Sequence, residues 1–252
     1  RIQDWVRERA SLNIKKSDNS QQRHPYEPCY LFESGIIPLA TYPVKGVIWY
    51  QGESNAHNKE IHEILFPLLV DSWRKNWNKE FPFYYVQLSG LNRPSWPHFR
   101  DSQRRLEKII PGSGMAVSSD LGDSLDVHPK RKQEVGERLA RLALNKTYGK
   151  DIVPSGPQYK ESEFKNGYAL ISFDYANGLR ASDDKDLRSF EIAEFDGLYF
   201  PAKAIVEGNK IKVWNDKVKH PRFVRYGWAP YTNGNLVNRE LLPASTFTSS
   251  DN

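Results

Sequence analysis

The stretch Gly46-Val47-Ile48-Trp49-Tyr50-Gln51-Gly52-Glu53-Ser54-Asn55 decides how the rest of the chain is read. Gly46 to Tyr50 is a short apolar run, the pattern of a buried strand. His57 to Asn78 then shows helical spacing: Ile61, Ile64, Leu65, Leu68, Leu69 and Trp73 recur, with Lys59, Glu60, Glu63 and Asp71 between them. Pro67 within that run predicts a kink. A polar cluster with a glycine therefore lies at the carboxyl end of a strand and opens a helix, which is where open α/β sheets hold their ligands. A second polar cluster, Asp120-Leu121-Gly122-Asp123-Ser124-Leu125-Asp126-Val127-His128-Pro129, occupies the same kind of junction.

Working outward, Phe83 to Leu88 and Gly114 to Ser118 read as further strands. Phe99 to Ile110 and Lys130 to Asn145 read as helices, the latter with Val135, Leu139, Leu142 and Ala143 on one face. Strand–helix alternation over residues 44–146 implies βαβ units and a parallel sheet. Upstream, Ile2 to Leu12 has the spacing of a short helix, Asn13 to Pro28 reads as a loop, and Tyr30 to Ala40 as helix despite Pro38. The cluster Gly149, Pro154, Gly156 and Pro157 marks a boundary, giving domains 1–150 and 151–252. Beyond it the pattern changes to short alternating runs: Tyr168–Phe173, Phe190–Ala193, Ala202–Val206, Lys210–Trp214 and Phe223–Trp228. Turns such as Asn166-Gly167, Asp196-Gly197 and Gly208-Asn209 separate them, which predicts an antiparallel β-domain.

Composition narrows the function classes. The 252 residues suffice for one large domain or two modest ones. The net charge of +5 comes from interspersed charges of both signs, and Lys15-Lys16, Arg104-Arg105 and Lys130-Arg131-Lys132 are short and far apart. No basic stripe interleaves with aromatics, so a nucleic-acid partner is not expected. No stretch of ~18 apolar residues is present, and no membrane span is expected. Cys29 is the only cysteine, which rules out an internal disulfide and a cysteine-based metal site. Seven Trp and thirteen Tyr accompany a mean hydropathy of −0.69. They fill core and sheet faces in the simpler reading and stack on sugars in the other.

The two polar clusters carry parts of a hydrolase. Acyl transfer needs a nucleophile, a base, a group that orients the base, and donors for the developing oxyanion. His128 is the base candidate, with Asp126 two residues before it and Asp120 and Asp123 nearby. Gln51 and Gly52 are donor candidates, through an amide side chain and a backbone N–H at a helix entrance. Glu53 is an alternative orienting acid. The plainer reading makes Gln51 and Glu53 helix-capping loop residues and His128 an ordinary loop histidine. Ser54 in Gly52-Glu53-Ser54-Asn55-Ala56 approaches the G-x-S-x-G nucleophile elbow in a strand–turn–helix context. His57 and His62 lie five apart and share no helical face, so a zinc pair is not expected.

Residues Gly46 to Asn55 resemble the signature block of the sialate O-acetylesterase family, a branch of the SGNH hydrolases. Met115 to Gly122, Val127-His128-Pro129 and Lys132 to Leu139 resemble its histidine block and the following helix. Phe223 to Trp228, Asn235-Leu236 and Leu242-Pro243-Ala244-Ser245 resemble its carboxyl terminus. The resemblance implies a partial SGNH-type three-layer α/β/α hydrolase domain, followed by an antiparallel β-sandwich-like domain. It implies His128 as triad base and Gln51 as oxyanion donor, with Gly52 and Asn55 in substrate binding. Many SGNH enzymes place the acid three residues before the histidine, where this chain has Leu125. The acid is therefore Asp126, Asp123, Asp120 or Glu53, with Asp126 ranked first. In the family the serine sits in a Gly-Gln-Ser-Asn-like block that would precede Arg1. The expectation is a carboxyl-terminal half whose partner is the missing amino-terminal half, with Ser54 in an ordinary position. The implied substrate is an O-acetylated carbohydrate, sialic acid first and acetylated xylan as an alternative, in a periplasmic or extracellular setting. Serine acyl transfer needs no metal or organic cofactor, and none is expected. A non-catalytic carbohydrate-binding or structural fragment is the rival reading.

Overall fold

The apolar runs of the first half build a three-stranded parallel sheet. The computed structural model describes residues 4, 8, 19, 21–25 and 27–250. The chain divides into two compact units, residues 1–45 with 71–81, and residues 46–70 with 82–252. The expected helix Ile2–Leu12 falls, apart from Asp4 and Glu8, outside the described residues, as does much of the expected loop Asn13–Pro28. In the first unit, the helix expected over Tyr30–Ala40 is a π-helical turn, Phe32–Ile36, followed by a 3₁₀ turn, Ile37–Leu39. Pro38 supplies no N–H, which favours irregular turns over a regular ladder.

The second unit opens with β1 (Val47–Trp49) and the start of α1 (Lys59–Trp77), whose residues from 71 onward belong to the first unit, and goes on to β2 (Phe83–Gln87), α2 (Trp96–Ile109), β3 (Ser113–Val117) and α3 (Lys132–Leu142). The sheet order is β1-β2-β3, all parallel, with Trp49 opposite Tyr85 and Tyr85 opposite Met115. Helix α1 runs through Pro67 as one element. Helix α2 begins at Trp96, earlier than expected, because Pro97 is at home in a first turn where no N–H partner is needed. Helix α3 is shorter than expected and ends in a π turn, Ala143–Thr147.

Alternation along the strands sorts the side chains to two faces. Tyr84, Val86 and Ala116 meet Val135, Leu139 and Leu142 of α3. On the other face Phe66 of α1 sits 5.7 Å from Phe83, 5.1 Å from Tyr85 and 6.3 Å from Trp49, ring centre to ring centre. Strands β2 and β3 are buried along their whole length, as a parallel sheet covered on both faces requires. The edge strand β1 differs: Ile48 at its centre is 68% exposed.

The remaining strands are antiparallel. They are β4 (Gln158–Lys165), β5 (Tyr168–Asp174), β6 (Arg180–Ala181), β7 (Phe190–Ala193), β8 (Phe200–Pro201), β9 (Lys203–Glu207), β10 (Lys210–Trp214), β11 (Phe223–Tyr226), β12 (Leu236–Val237) and β13 (Phe247–Thr248). Two four-stranded sheets run β4-β5-β10-β9 and β13-β11-β7-β8, with a β12-β6 pair beside them. Ile171 and Val213 of the first sheet share one core with Ile192, Val224 and Phe247 of the second. Strand β11 stops at Tyr226, short of the expected Trp228, because Gly227 turns the chain with φ +62°. Strand β4 was not foreseen; its Lys, Glu, Ser and Glu residues hide the alternation.

Helix α2 joins the two halves of this unit with polar side chains. The Gln103 amide accepts the Leu88 N–H (2.9 Å) and donates to the Val86 carbonyl (3.1 Å), so it pairs with β2 as a neighbouring strand would. Arg100 is fully buried. It donates to the Thr246 hydroxyl (3.0 Å) and to the carbonyls of Pro230 (2.8 Å), Gly227 (2.8 Å) and Ala229 (2.7 Å). Burial pulls its pKa down to about 9, which leaves it charged at neutral pH. Carbonyl dipoles, each with a lone pair aimed at the guanidinium, offset the desolvation of that charge. Next to it, Asp101 accepts from Arg104 (2.8 Å) and from the Thr248 N–H (3.3 Å).

Two predictions arise from these buried polar groups. Arg100→Met strands several acceptors and should cost at least about 3 kcal/mol of stability. Urea unfolding would measure it, and a loss under about 1 kcal/mol would show that water replaces the guanidinium freely. His62 of α1 is buried between Phe66 (5.4 Å, stacked) and Phe99 (4.6 Å), and burial pushes its pKa down to about 4. The folded imidazole is thus neutral while the unfolded one titrates near ~6.5, so the unfolded state binds more protons between those values. The stability of the wild type relative to His62→Leu should therefore fall as pH drops from ~6.5 to ~4, by on the order of 3 kcal/mol, and level off below. Parallel pH dependences for the two proteins would remove His62 as the cause.

Candidate active site

Because the three strands of the first sheet are parallel, their carboxyl ends open on one edge. Tyr50-Gln51-Gly52 leaves β1, Leu88-Ser89-Gly90 leaves β2, and Ser118-Ser119-Asp120 leaves β3. The Tyr50 ring packs on the cluster beneath α3 and on a second cluster of Ala56, Leu88, Leu91, Trp96 and Phe99. The Lys132 ammonium lies 4.9 Å over the same ring. The Tyr50 hydroxyl is buried beside Ser89 and Ser118. Burial raises its pKa, and the Ser118 hydroxyl donates to the Gln87 carbonyl (2.7 Å).

Beyond Tyr50 the chain makes successive turns before α1. Gly52 is buried with φ +147°, and a Cβ there would lie 2.7 Å from the Phe99 ring, so both backbone and space demand glycine. The Asn55 N–H donates to the Gly52 carbonyl (2.9 Å), and Asn58 caps α1 by accepting the Ile61 N–H (3.2 Å). Gln51 donates one amide hydrogen to the Asn55 side chain (2.7 Å), which fixes its orientation and leaves its second N–H for another acceptor. Glu53 is half-buried. Ser54 is exposed within the turns, well before the helix entrance at which a nucleophile elbow would put its serine.

The second cluster is a loop pinned at both ends. Leu121 is buried at its start and Pro129 at its end, while Val127 packs on the same Leu88–Leu91–Trp96–Phe99 cluster that supports Tyr50. The immediate neighbours of Gln51 and His128 are thus anchored on one apolar patch. Asp126 accepts the His128 backbone N–H (2.9 Å) through the same carboxylate oxygen that lies 3.2 Å from His128 Nδ1. The His128 backbone donor, and then its ring, hold the Asp126 carboxyl below its ordinary pKa. The His128 side chain is 81% exposed, so Nε2 faces solvent while Nδ1 faces the acid. An imidazole held in this way can take a proton from a hydroxyl at Nε2 and keep its positive charge beside a carboxylate.

The other carboxylates have different engagements. Asp120 forms a two-pronged pair with Arg138, at 2.6 Å for both contacts. Asp123 accepts the Leu125 N–H (2.9 Å) and shapes the loop. His57 is exposed, and His62 is enclosed by aromatic rings.

The loop after β2 belongs to the same edge and was not singled out from the sequence. A Cβ on Gly122 would fall 2.2 Å from the Gly90 carbonyl oxygen, so the histidine loop and the post-β2 loop touch backbone to backbone. Asn92 donates its N–H to the Ser124 carbonyl (3.1 Å). The available signal was position: Ser89-Gly90 and Ser118-Ser119 each directly follow an apolar strand, as Gln51-Gly52 does.

Comparison with known proteins identifies the family of the chain. Residues 19–145, about half of the chain, match the family described as carbohydrate esterase, sialic acid-specific acetylesterase. The mouse sialate O-acetylesterase is 32% identical over 195 residues, which is 67% of this chain and 36% of the mouse protein. The human sialate O-acetylesterase is 31% identical over 193 residues, 67% of this chain and 37% of its own length. The chain thus spans little more than a third of these relatives. The crystal structure of a carbohydrate acetylesterase from Xanthomonas citri superimposes with a TM-score of 0.84 at 35% identity, covering 92% of this chain and 56% of that one. With the match extending over half of its residues, the chain belongs to the carbohydrate esterase family of sialic acid-specific acetylesterases.

Proposed function

We propose that this chain is the histidine-bearing part of a carbohydrate O-acetylesterase that removes acetyl groups from sialic acid. The observation that carries this reading is the His128–Asp126 pair: Nδ1 lies 3.2 Å from the carboxylate while the ring is open to solvent on the ligand-holding edge of a parallel sheet. In this reading His128 is the general base, Asp126 orients it, and the free amide hydrogen of Gln51 with the N–H of Gly52 stabilises the oxyanion. Asn55 holds Gln51 in place, and Glu53 contributes charge beside the site.

The mechanism then follows the order of a serine esterase. His128 Nε2 takes the serine proton as the oxygen attacks the acetyl carbonyl. The tetrahedral oxyanion rests on the Gln51 and Gly52 donors, and His128 returns the proton to the departing sugar oxygen. Water repeats the sequence on the acetyl-enzyme and releases acetate. On this reading the serine lies outside this sequence, and the chain's span of little more than a third of the curated relatives leaves room for it. Residues 1–150 are, on this reading, part of a three-layer SGNH domain. Residues 151–252 form a β-sandwich-like domain, supported by the core common to its two four-stranded sheets. A periplasmic or extracellular location fits the substrate. No described helix is long and apolar enough to cross a membrane.

In the enzyme assembled with its serine segment, His128→Ala should lower acetyl-ester turnover by several orders of magnitude, and Asp126→Asn should lower kcat strongly with the fold intact. Loss of under about tenfold for His128→Ala would take it out of the mechanism. A near-silent Asp126→Asn beside a crippling Glu53→Gln or Asp123→Asn would move the orienting role.

A second test asks where the nucleophile is. This chain alone should release no burst of acetate from p-nitrophenyl acetate and resist a serine-directed organophosphonate. Adding the serine-bearing segment should restore labelling, on a serine outside residues 1–252. Stoichiometric labelling of Ser54 in the isolated chain would instead make it a self-sufficient hydrolase. If both esterase activity and labelling are absent after reconstitution, the esterase reading falls and the rival, a non-catalytic carbohydrate-binding or structural fragment, takes its place.

A further inference from the structure

We infer that the loop Trp228–Tyr231, which follows β11 in the carboxyl-terminal half, forms one wall of the proposed acetylesterase site, with the Tyr231 ring as the platform for the sugar. The inference rests on the esterase reading for the identity of its ligand. The placement rests on hydrogen bonds and close approaches between this loop and the strand ends.

Arg100 fastens the start of the loop by donating to the carbonyls of Gly227, Ala229 and Pro230. The far end is fastened by the Tyr226 hydroxyl, which accepts the Leu236 N–H (2.9 Å). Between these anchors the Pro230 carbonyl accepts the Leu91 N–H (3.3 Å), so the loop docks directly on the segment leaving β2. There the Tyr231 ring lies against Gly90: its Cδ2 is 3.0 Å from where a Cβ would stand, and the Ser119 carbonyl is 3.2 Å from that same point. Gly90 is also the residue that the histidine loop touches through Gly122. Tyr231 thus lies against the segment leaving β2, and the same Gly90 that it covers touches Ser119 after β3 and Gly122 of the loop that carries Asp126 and His128.

Tyr231 nevertheless stays 47% exposed. A tyrosine held on a rigid backbone ledge loses little conformational freedom on binding and offers a ring face to the C–H face of a pyranose, with a hydroxyl at its rim. The small acetyl group needs only the donors and the base, so the ring serves the sugar that carries it. Tyr231 is accordingly a specificity residue, distinct from the groups that act on the ester.

The test compares two substrates in the enzyme assembled with its serine segment: 9-O-acetylated N-acetylneuraminic acid methyl glycoside and p-nitrophenyl acetate. Tyr231→Ala should raise KM for the sugar ester about tenfold more than for p-nitrophenyl acetate, with kcat for the sugar ester largely kept. Tyr231→Phe, which retains the ring, should restore most of the lost sugar affinity. Equal changes in KM for both esters, or a fall in kcat for both, would mean that the loop supports the catalytic loops and holds no sugar, and would overturn the proposal. Turnover of p-nitrophenyl acetate with no Tyr231 effect sinks the wall and spares the esterase reading. Absence of turnover for both esters in the wild type sinks the two together.

Discussion

A single positive charge, the Arg100 guanidinium, organises the second unit. It has no carboxylate partner among its hydrogen bonds; its acceptors are three carbonyls and a threonine hydroxyl contributed by the carboxyl-terminal strands and their loop. A charge this deep is costly unless each donor is satisfied, so the acceptors must hold their positions for the fold to exist. The consequence reaches the chemistry. The carbonyls that satisfy Arg100 belong to the loop docked against Leu91 and Gly90, and Gly90 in turn abuts the histidine loop. The β-rich half and the strand-end edge that carries the candidate site are therefore joined through these contacts.

Much of the α/β layer is legible in the sequence because its signals are local. Apolar runs with turn residues between them mark β1, β2 and β3, and the 3.6-residue spacing marks α1 and α3. Helix α2 is harder. Arg100, Asp101, Ser102, Gln103 and Arg104 look like a solvated face, yet all are buried. Their partners lie up to 147 positions away, as in the contact between Thr248 and Asp101, and no local pattern encodes them. Strand β4 escaped for a related reason, since its polar side chains conceal the alternation that pairing with β5 reveals. Pro67 sits inside α1 without ending it, because the tertiary packing of Phe66 against the sheet outweighs the lost hydrogen bond.

The candidate site divides in the same way. Asp126 and His128 are two residues apart, so their contact needs only a tight loop, and sequence could nominate them. It ranks Asp126 first among four carboxylates without showing that Asp120 is taken by Arg138 from α3, a contact across 18 positions. Gln51 could be nominated from its strand–turn–helix context, whereas the Asn55 contact that aims its amide depends on the turns imposed by Gly52. Ser89, Gly90 and Tyr231 enter only when the strand ends are seen side by side.

The exposed edge of the sheet has a consequence for motion. Strands β2 and β3 are sealed, but β1 is three residues long, pairs on one side among the described residues, and shows Ile48 to water. Amide hydrogens should exchange fastest at β1 and slowest at the β2–β3 seam, since opening an edge breaks one ladder and uncovers little apolar area. Gln51 leaves directly from that soft strand, while His128 hangs from loops tied to the hard seam. The two halves of the proposed oxyanion-and-base pair therefore differ in stiffness. Whatever comes to lie along β1 would act first on Gln51 and reach His128 only through the apolar patch that Tyr50 and Val127 share.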